Sequence, residues 1–186
     1  MATAGRHAVC SAEPVAIFTV AAAGAMALPG VLQVGDQVLA AASCGLRETL
    51  WIDHYAATLY VRPGDTAEAA LLDPRRAKAL EIRLLNRSFM PAEFPRKYRR
   101  ALETALDDVT MTRLSAAYHE LRSGDIITIA YLPGRGVSLS VNRELIAATP
   151  THRVVESILF TWANGKPLDQ HLRAMLAKHP CPSITG

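Results

Sequence analysis

Hydrophobic positions along this chain follow two periods, and stretches of each alternate. Leu32 to Ala41 holds Val34, Gly35, Asp36 and Val38, a short strand with a turn. Leu46 to Val61 is rich in aromatic and β-branched residues (Trp51, Ile52, Tyr55, Thr58, Tyr60), which suit a pleated surface. Arg62-Pro63-Gly64-Asp65 ends it with turn chemistry. Thr66 then caps a short helix to Leu72, with Glu68 in its first turn and Pro74 beyond its end. Leu80, Ile82 and Leu84 alternate with Glu81, Arg83 and Leu85, the period of a half-buried strand.

Helical spacing takes over between Pro91 and Pro95 and is expected to last to about Asp107. Phe94, Tyr98, Ala101, Leu102 and Ala105 share one face. Arg96, Lys97, Arg99, Arg100 and Glu103 fall mostly on the other, which reads as a solvated face. A further helix spans Thr110 to Leu121. After Gly124 the period returns to two: Asp125 to Leu132, the turn Pro133-Gly134-Arg135-Gly136, Val137 to Val141, the turn Asn142-Arg143, and Glu144 to Ala147 form a β-meander. Pro150 and Thr151 open a helix with Val154, Val155, Ile158, Leu159 and Trp162 at core spacing, closed by Asn164-Gly165. A last helix runs from Leu168 to Lys178. Strands, helices, strands and helices in that order predict an α+β domain, an antiparallel sheet covered by helices. Trp51 and Trp162 are both expected in the core.

The first residues differ from this pattern. Val15 to Leu28 is uncharged, mostly apolar and alanine-rich, too short for a bilayer span of about 20 residues. Arg6 precedes it, and Ala25-Met26-Ala27 has the small-x-small form of a signal-peptidase site. Residues 1–27 therefore read as a secretory signal and 31–180 as the domain. That places the protein in the periplasm or outside the cell with no remaining membrane span; if the segment is not a signal, the chain is cytoplasmic.

Length and composition narrow the rest. The 186 residues suit one domain, half are hydrophobic, and the net charge of +3 does not by itself point to nucleic acid. The six histidines and three cysteines show no metal-ligand spacing, so no metal or cofactor is expected. Cys44 could pair with Cys181, but sequence does not bring them together, and separate thiols are expected. Neither a His-Glu-x-x-His run, a Gly-x-Ser-x-Gly elbow nor a Walker loop occurs. The oligomeric state is left open.

Three segments carry a resemblance. They are Gly45-Leu46-Arg47 followed by Tyr55-Ala56-Ala57-Thr58-Leu59-Tyr60-Val61; Ser123-Gly124-Asp125 with the strand to Leu132, Pro133-Gly134-Arg135-Gly136 and Val141-Asn142; and Leu159-Phe160-Thr161-Trp162-Ala163-Asn164-Gly165-Lys166-Pro167-Leu168-Asp169. In this order they resemble the chalcone isomerase-like family, its exported bacterial members above all, over about residues 31 to 178. The resemblance implies an open-faced β-sandwich, a large antiparallel sheet with helices layered on it.

It also implies a site. The plant enzymes of the family close a flavanone ring by intramolecular Michael addition, with no cofactor or metal. An arginine, a tyrosine, an asparagine and two threonines act in their cleft. Arg47 matches the arginine and Thr161 the late threonine. The strand threonine falls at Tyr55, the tyrosine at Phe94 and the asparagine at Ala101. Phe94 and Ala101 lack the donors, and one lost donor costs about 2.7–4 kcal/mol in comparable sites. The plant reaction would therefore be inefficient here.

Fatty-acid-binding members of the family have an arginine and a tyrosine at the places of Arg47 and Tyr55. The resemblance thus implies a non-catalytic binder of a fatty acid or similar apolar carboxylate. Arg47 and Tyr55 would hold the head group, with Phe94, Ala101, Thr161 and Trp162 in the cleft. The alternative is an intramolecular lyase acting on a chalcone-like or other phenolic enone, with Arg47, Tyr55 and Thr161 as its catalytic groups. On one straight strand Arg47 and Tyr55 would stand about 26 Å apart, so either use requires a bend near Asp53-His54.

Overall fold

A computed structural model describes residues 30–49 and 51–151. The segment 1–27, Thr161, Trp162 and the two C-terminal helices read from sequence lie outside the described residues.

Among the described residues, seven strands form one antiparallel sheet, each beside its neighbour in sequence: β1 (Val31–Val34), β2 (Gln37–Thr49), β3 (Ile52–Val61), β4 (Lys78–Leu84), β5 (Ile126–Leu132), β6 (Gly136–Val141) and β7 (Glu144–Thr149). Three α-helices of the described residues interrupt the order. α1 (Ala67–Leu72) lies between β3 and β4, while α2 (Arg96–Leu102) and α3 (Asp108–Glu120) lie between β4 and β5. The α+β architecture is as the periods predicted, and Thr66 caps α1 through its side chain, which accepts from the Ala69 N–H at 3.2 Å.

Local expectations fail in three places. Leu46 to Val61 is two strands, joined at a tight hairpin where Thr49 pairs with Ile52. Trp51 stands at that tip with φ 63° and 88% of its surface exposed, so it is no part of the core. The helix expected from Pro91 to Asp107 is only α2, preceded by a 3-10 turn at Arg87–Phe89. Pro91 and Pro95 restrict the residues before them to extended conformations, which delays the helix until Arg96.

The helices cover one face of the sheet. Ala70 and Leu71 of α1, Leu102 of α2, and Met111 and Leu114 of α3 pack on Leu59, Val61, Leu80 and Ile129. A smaller cluster around Leu39, Tyr60, Ala79 and Ala130 forms on the other face. There the Tyr60 hydroxyl donates to the buried Glu81 carboxylate at 3.0 Å, and Thr128 donates to its other oxygen at 3.3 Å. Burial and the Glu81 charge push the Tyr60 phenol far up from its usual value.

Lys78, 1% exposed, ties α1 to the sheet. Its ammonium donates to the carbonyls of Ala70 and Asp73 at the C-terminal end of α1, where helix carbonyls lack internal partners. Desolvation lowers its pKa to about 8. Among the described residues, no helix is long and apolar enough to cross a membrane.

Candidate functional site

Between the sheet and the helices α2 and α3 lies a cavity of about 530 Å³, a usual size for a small-molecule pocket. Its floor is sheet: Ile82 and Leu84 of β4, Ile127 and Ile129 of β5, Leu139 and Val141 of β6. Its roof is Met90, Pro91, Phe94 and Pro95 with Tyr98 and Leu102 of α2, and Leu114, Ala117 and Tyr118 of α3.

The remaining wall is polar. Arg47, His54 and Tyr55 line it, where β2 and β3 approach their hairpin. Arg47 and Tyr55 are direct cross-strand partners. Directly opposed residues point their side chains to the same face, with Cβ atoms about 4.5–5.5 Å apart. The hairpin thus replaces the bend that a single strand would need, and the 26 Å separation expected for a straight strand does not arise.

A β-bulge adds His54. Arg47 pairs with Tyr55 and Glu48 with Asp53, so His54 is one residue too many for β2. Such an extra residue breaks the alternation and re-aims its side chain. The His54 carbonyl accepts from the N–H groups of Leu85 and Asn86 at 2.9 and 3.1 Å, which fixes the bulge against the end of β4. The bulge thereby brings the imidazole to the same cavity wall as the phenol of Tyr55.

Among the described lining residues, Arg47 carries the only formal charge and none is acidic. Neither Glu48 nor Asp53 forms an ion pair with it. Glu48 and Asp53 oppose each other one step nearer the tip, past the bulge. A half-buried guanidinium in apolar surroundings calls for an anion with hydrogen-bonding oxygens.

The helices contribute rings. Phe94 packs edge-on against Tyr118, with centroids 5.3 Å apart. The Tyr118 hydroxyl donates to the Pro91 carbonyl at 2.8 Å, and the Arg87 guanidinium lies 5.3 Å over its ring. Burial raises the Tyr118 phenol, with Arg87 opposing. This bond holds the 91–95 segment down as the cavity's roof.

Of the residues singled out from sequence, the cavity gathers Arg47, Tyr55 and Phe94. Ala101 belongs to α2, but its side chain, like Thr161 and Trp162, lies outside what the structure describes. Sequence reasoning missed His54 and Tyr118, and placed Tyr98 only on an apolar helix face. The spacing Phe94, Tyr98, Leu102 was a signal for Tyr98; nothing in the sequence marks the bulge.

Cys44 is disulfide-bonded, contrary to the expectation of separate thiols. It sits on the face of the sheet away from the cavity, opposite Thr58, whose hydroxyl lies 3.4 Å from its sulfur. Among the described residues, no three His, Cys, Asp or Glu side chains gather as metal ligands.

Comparison with known proteins identifies a family. The model of the chalcone isomerase-like family matches residues 21–177. The crystal structure of a fatty-acid binding protein from Arabidopsis thaliana is similar over 80% of this chain and 90% of that one, at 15% identity and a TM-score of 0.46. No curated protein sequence matches the chain significantly.

Proposed function

We propose that this chain, which belongs to the chalcone isomerase-like family, is a non-catalytic binding protein for a fatty acid or a similar apolar carboxylate. One observation carries the reading: among the described lining residues Arg47 is the one guanidinium, beside the Tyr55 phenol at the polar end of a mostly apolar cavity. The tail of such a ligand would lie along Ile82, Ile127, Leu139 and the roof from Met90 to Leu102. Its carboxylate would receive charge-assisted bonds from Arg47, with the Tyr55 hydroxyl as a second donor.

Export to the periplasm or beyond, through removal of residues 1–27, is part of the proposal. Mature protein recovered from a periplasmic extract should begin at Leu28. An intact N-terminus in a cytosolic fraction would refute it.

Native mass spectrometry of the purified full chain tests the binding reading. It should show co-purified fatty acid, and Arg47→Ala should lower its occupancy. A protein that purifies empty and shows no measurable affinity for dodecanoate ends the proposal.

The gathering of His54, Tyr55 and Tyr98 at one cavity favours a second reading, an intramolecular lyase acting on a phenolic enone, with Arg47, Tyr55 and Thr161 as its groups. Proton-bearing side chains around one cavity are the usual means of general acid–base work. Turnover of a chalcone panel would support it; rates at background for every member would remove it.

A further inference from the structure

We infer that the cavity selects its ligand by length: an alkyl tail runs obliquely across the sheet from Arg47 on β2 to Leu139 on β6, where it is stopped after about 12 carbons. This rests on the proposed binding of an apolar carboxylate and adds where the tail ends. Cross-strand pairing sorts the cavity face of the sheet into rows. The first row is Arg47, Tyr55 and Leu84 on β2, β3 and β4, and all three line the cavity. Two residues further along each strand, the second row is Ala57, Ile82, Ile127 and Val141. Ala57 on β3 is buried, and the lining passes to Ile82, Ile127 and Val141 on β4, β5 and β6. In the third row Leu59 and Leu80 are buried, and the floor is Ile129 on β5 and Leu139 on β6. The open space therefore moves sideways across the strands with each step inward.

The helix side changes in step. Along α3, Tyr118 clusters with Leu84 of the first row, as does Leu121 just past the helix, whereas Leu114 packs in the cluster of Ile129 in the third. Beyond that third row the space is filled. Tyr131 and Val137 of the next row are buried in the core with Met111 and Ile146. Ala147 on β7, the cross-strand partner of Leu139, is buried as well. Leu139 itself is half-buried, so its side chain is the one that meets the end of the tail from the floor, with Leu114 opposite it on α3.

The sheet gives the length of the track. Four strand spacings of about 4.8 Å and two rows of about 6.8 Å put the Cα atoms of Arg47 and Leu139 roughly 23 Å apart. The arginine side chain takes about 6 Å of this and the leucine about 3 Å, which leaves roughly 14 Å. Single bonds of about 1.5 Å at tetrahedral angles advance a saturated chain by about 1.25 Å per carbon, so about 12 carbons fill the track. The cavity's 530 Å³ would hold more atoms than that at about 30 Å³ each, so length and not volume sets the limit.

Calorimetric titration of the full chain with the saturated C8 to C16 acids and the matching alcohols, below their micelle concentrations, tests this. Wild-type affinity should rise about fourfold per carbon up to C12 and gain nothing further from C14 on. Leu139→Ala frees about 3 Å and should move that break up by about two carbons, and Leu139→Phe should move it down by a similar amount. Leu139→Val is the milder truncation for the case in which the alanine variant does not fold, and should move the break up by about one carbon. Ile82→Ala, in the middle of the track, should weaken binding and leave the break where it is. Affinity that keeps rising through C16, or a break that stays at C12 in the folded Leu139 variants, would overturn the inference and leave the carboxylate reading standing. Alcohols that break at C12 and shift with Leu139, while the acids do not bind, would support the length limit and remove the carboxylate reading. No binding of either series would overturn both.

Discussion

Arg47→Met separates the two halves of the proposed site, because it removes the cation while keeping an unbranched side chain in its place. A hydrogen bond to a charged group contributes about 1.5–3 kcal/mol net. At 1.4 kcal/mol per decade, dodecanoate should bind about 10- to 100-fold more weakly to the variant. The lower end is the better expectation, since Arg47 is only half-buried and water screens part of its charge. Dodecanol has the same tail and no charge, so its affinity should change by less than about threefold. The tail contributes about 0.8 kcal/mol for each buried methylene, roughly fourfold in affinity. A cavity of 530 Å³ has room for roughly 18 groups of the size of a water, about 30 Å³ each. The C8, C10 and C12 acids should therefore still gain with length, along parallel lines for wild type and variant. Isothermal titration calorimetry at pH 8, where the carboxylate is ionised, gives all these constants. Equal losses for the acid and the alcohol would mean that Arg47 acts through packing, and a flat chain-length series would mean that the cavity does not take the tail.

Three further outcomes concern the cavity's helix wall, a buried lysine and a turn glycine. Ala117 lines the cavity from α3, so Ala117→Phe should occupy the space of the tail and abolish dodecanoate binding while thermal stability stays within about 1 kcal/mol of wild type; differential scanning fluorimetry with and without ligand reads both. The folded-state pKa of Lys78 lies near 8, below the 10.5 of a free lysine. The unfolded chain therefore holds more protons between those values, and stability should rise with pH there, by at most about 3 kcal/mol. Tyr60 acts in the opposite sense once free tyrosine ionises near pH 10. Urea titrations from pH 7.5 to 9.5 isolate the lysine, and Lys78→Met should give a flat profile; a wild-type profile that falls in this window contradicts the assignment. A Cβ on Gly136, whose φ is 88°, would stand 2.1 Å from the Thr149 carbonyl oxygen. Gly136→Ala should thus cost more than about 2 kcal/mol by opening the β6–β7 pairing, read as a lowered denaturant midpoint.

How much of the site could be seen in the sequence depends on which physical signal each part leaves. Strands with one buried face announce themselves by alternation, so β4, β5 and β6 stand within a residue or two of their expected places. Thr66 and the acidic first turn gave away α1 in the same way. The β2–β3 hairpin left no such mark. Its tip holds Trp51 where Asn-Gly would be the usual sign, and both arms favour strands, so the period continues unbroken across the turn. Length was the remaining clue: Leu46 to Val61 is nearly three times the usual five or six residues of a strand. The hairpin and the bulge are also what make the site. Without the hairpin, Arg47 and Tyr55 would sit on one long strand, too far apart to share a head group. Without the bulge, His54 would point to the opposite face. The part of the fold hardest to read from sequence is therefore the part that gathers the polar groups, because the insertion of one extra residue is held by the Leu85 and Asn86 N–H groups at the end of β4, and not by local preference.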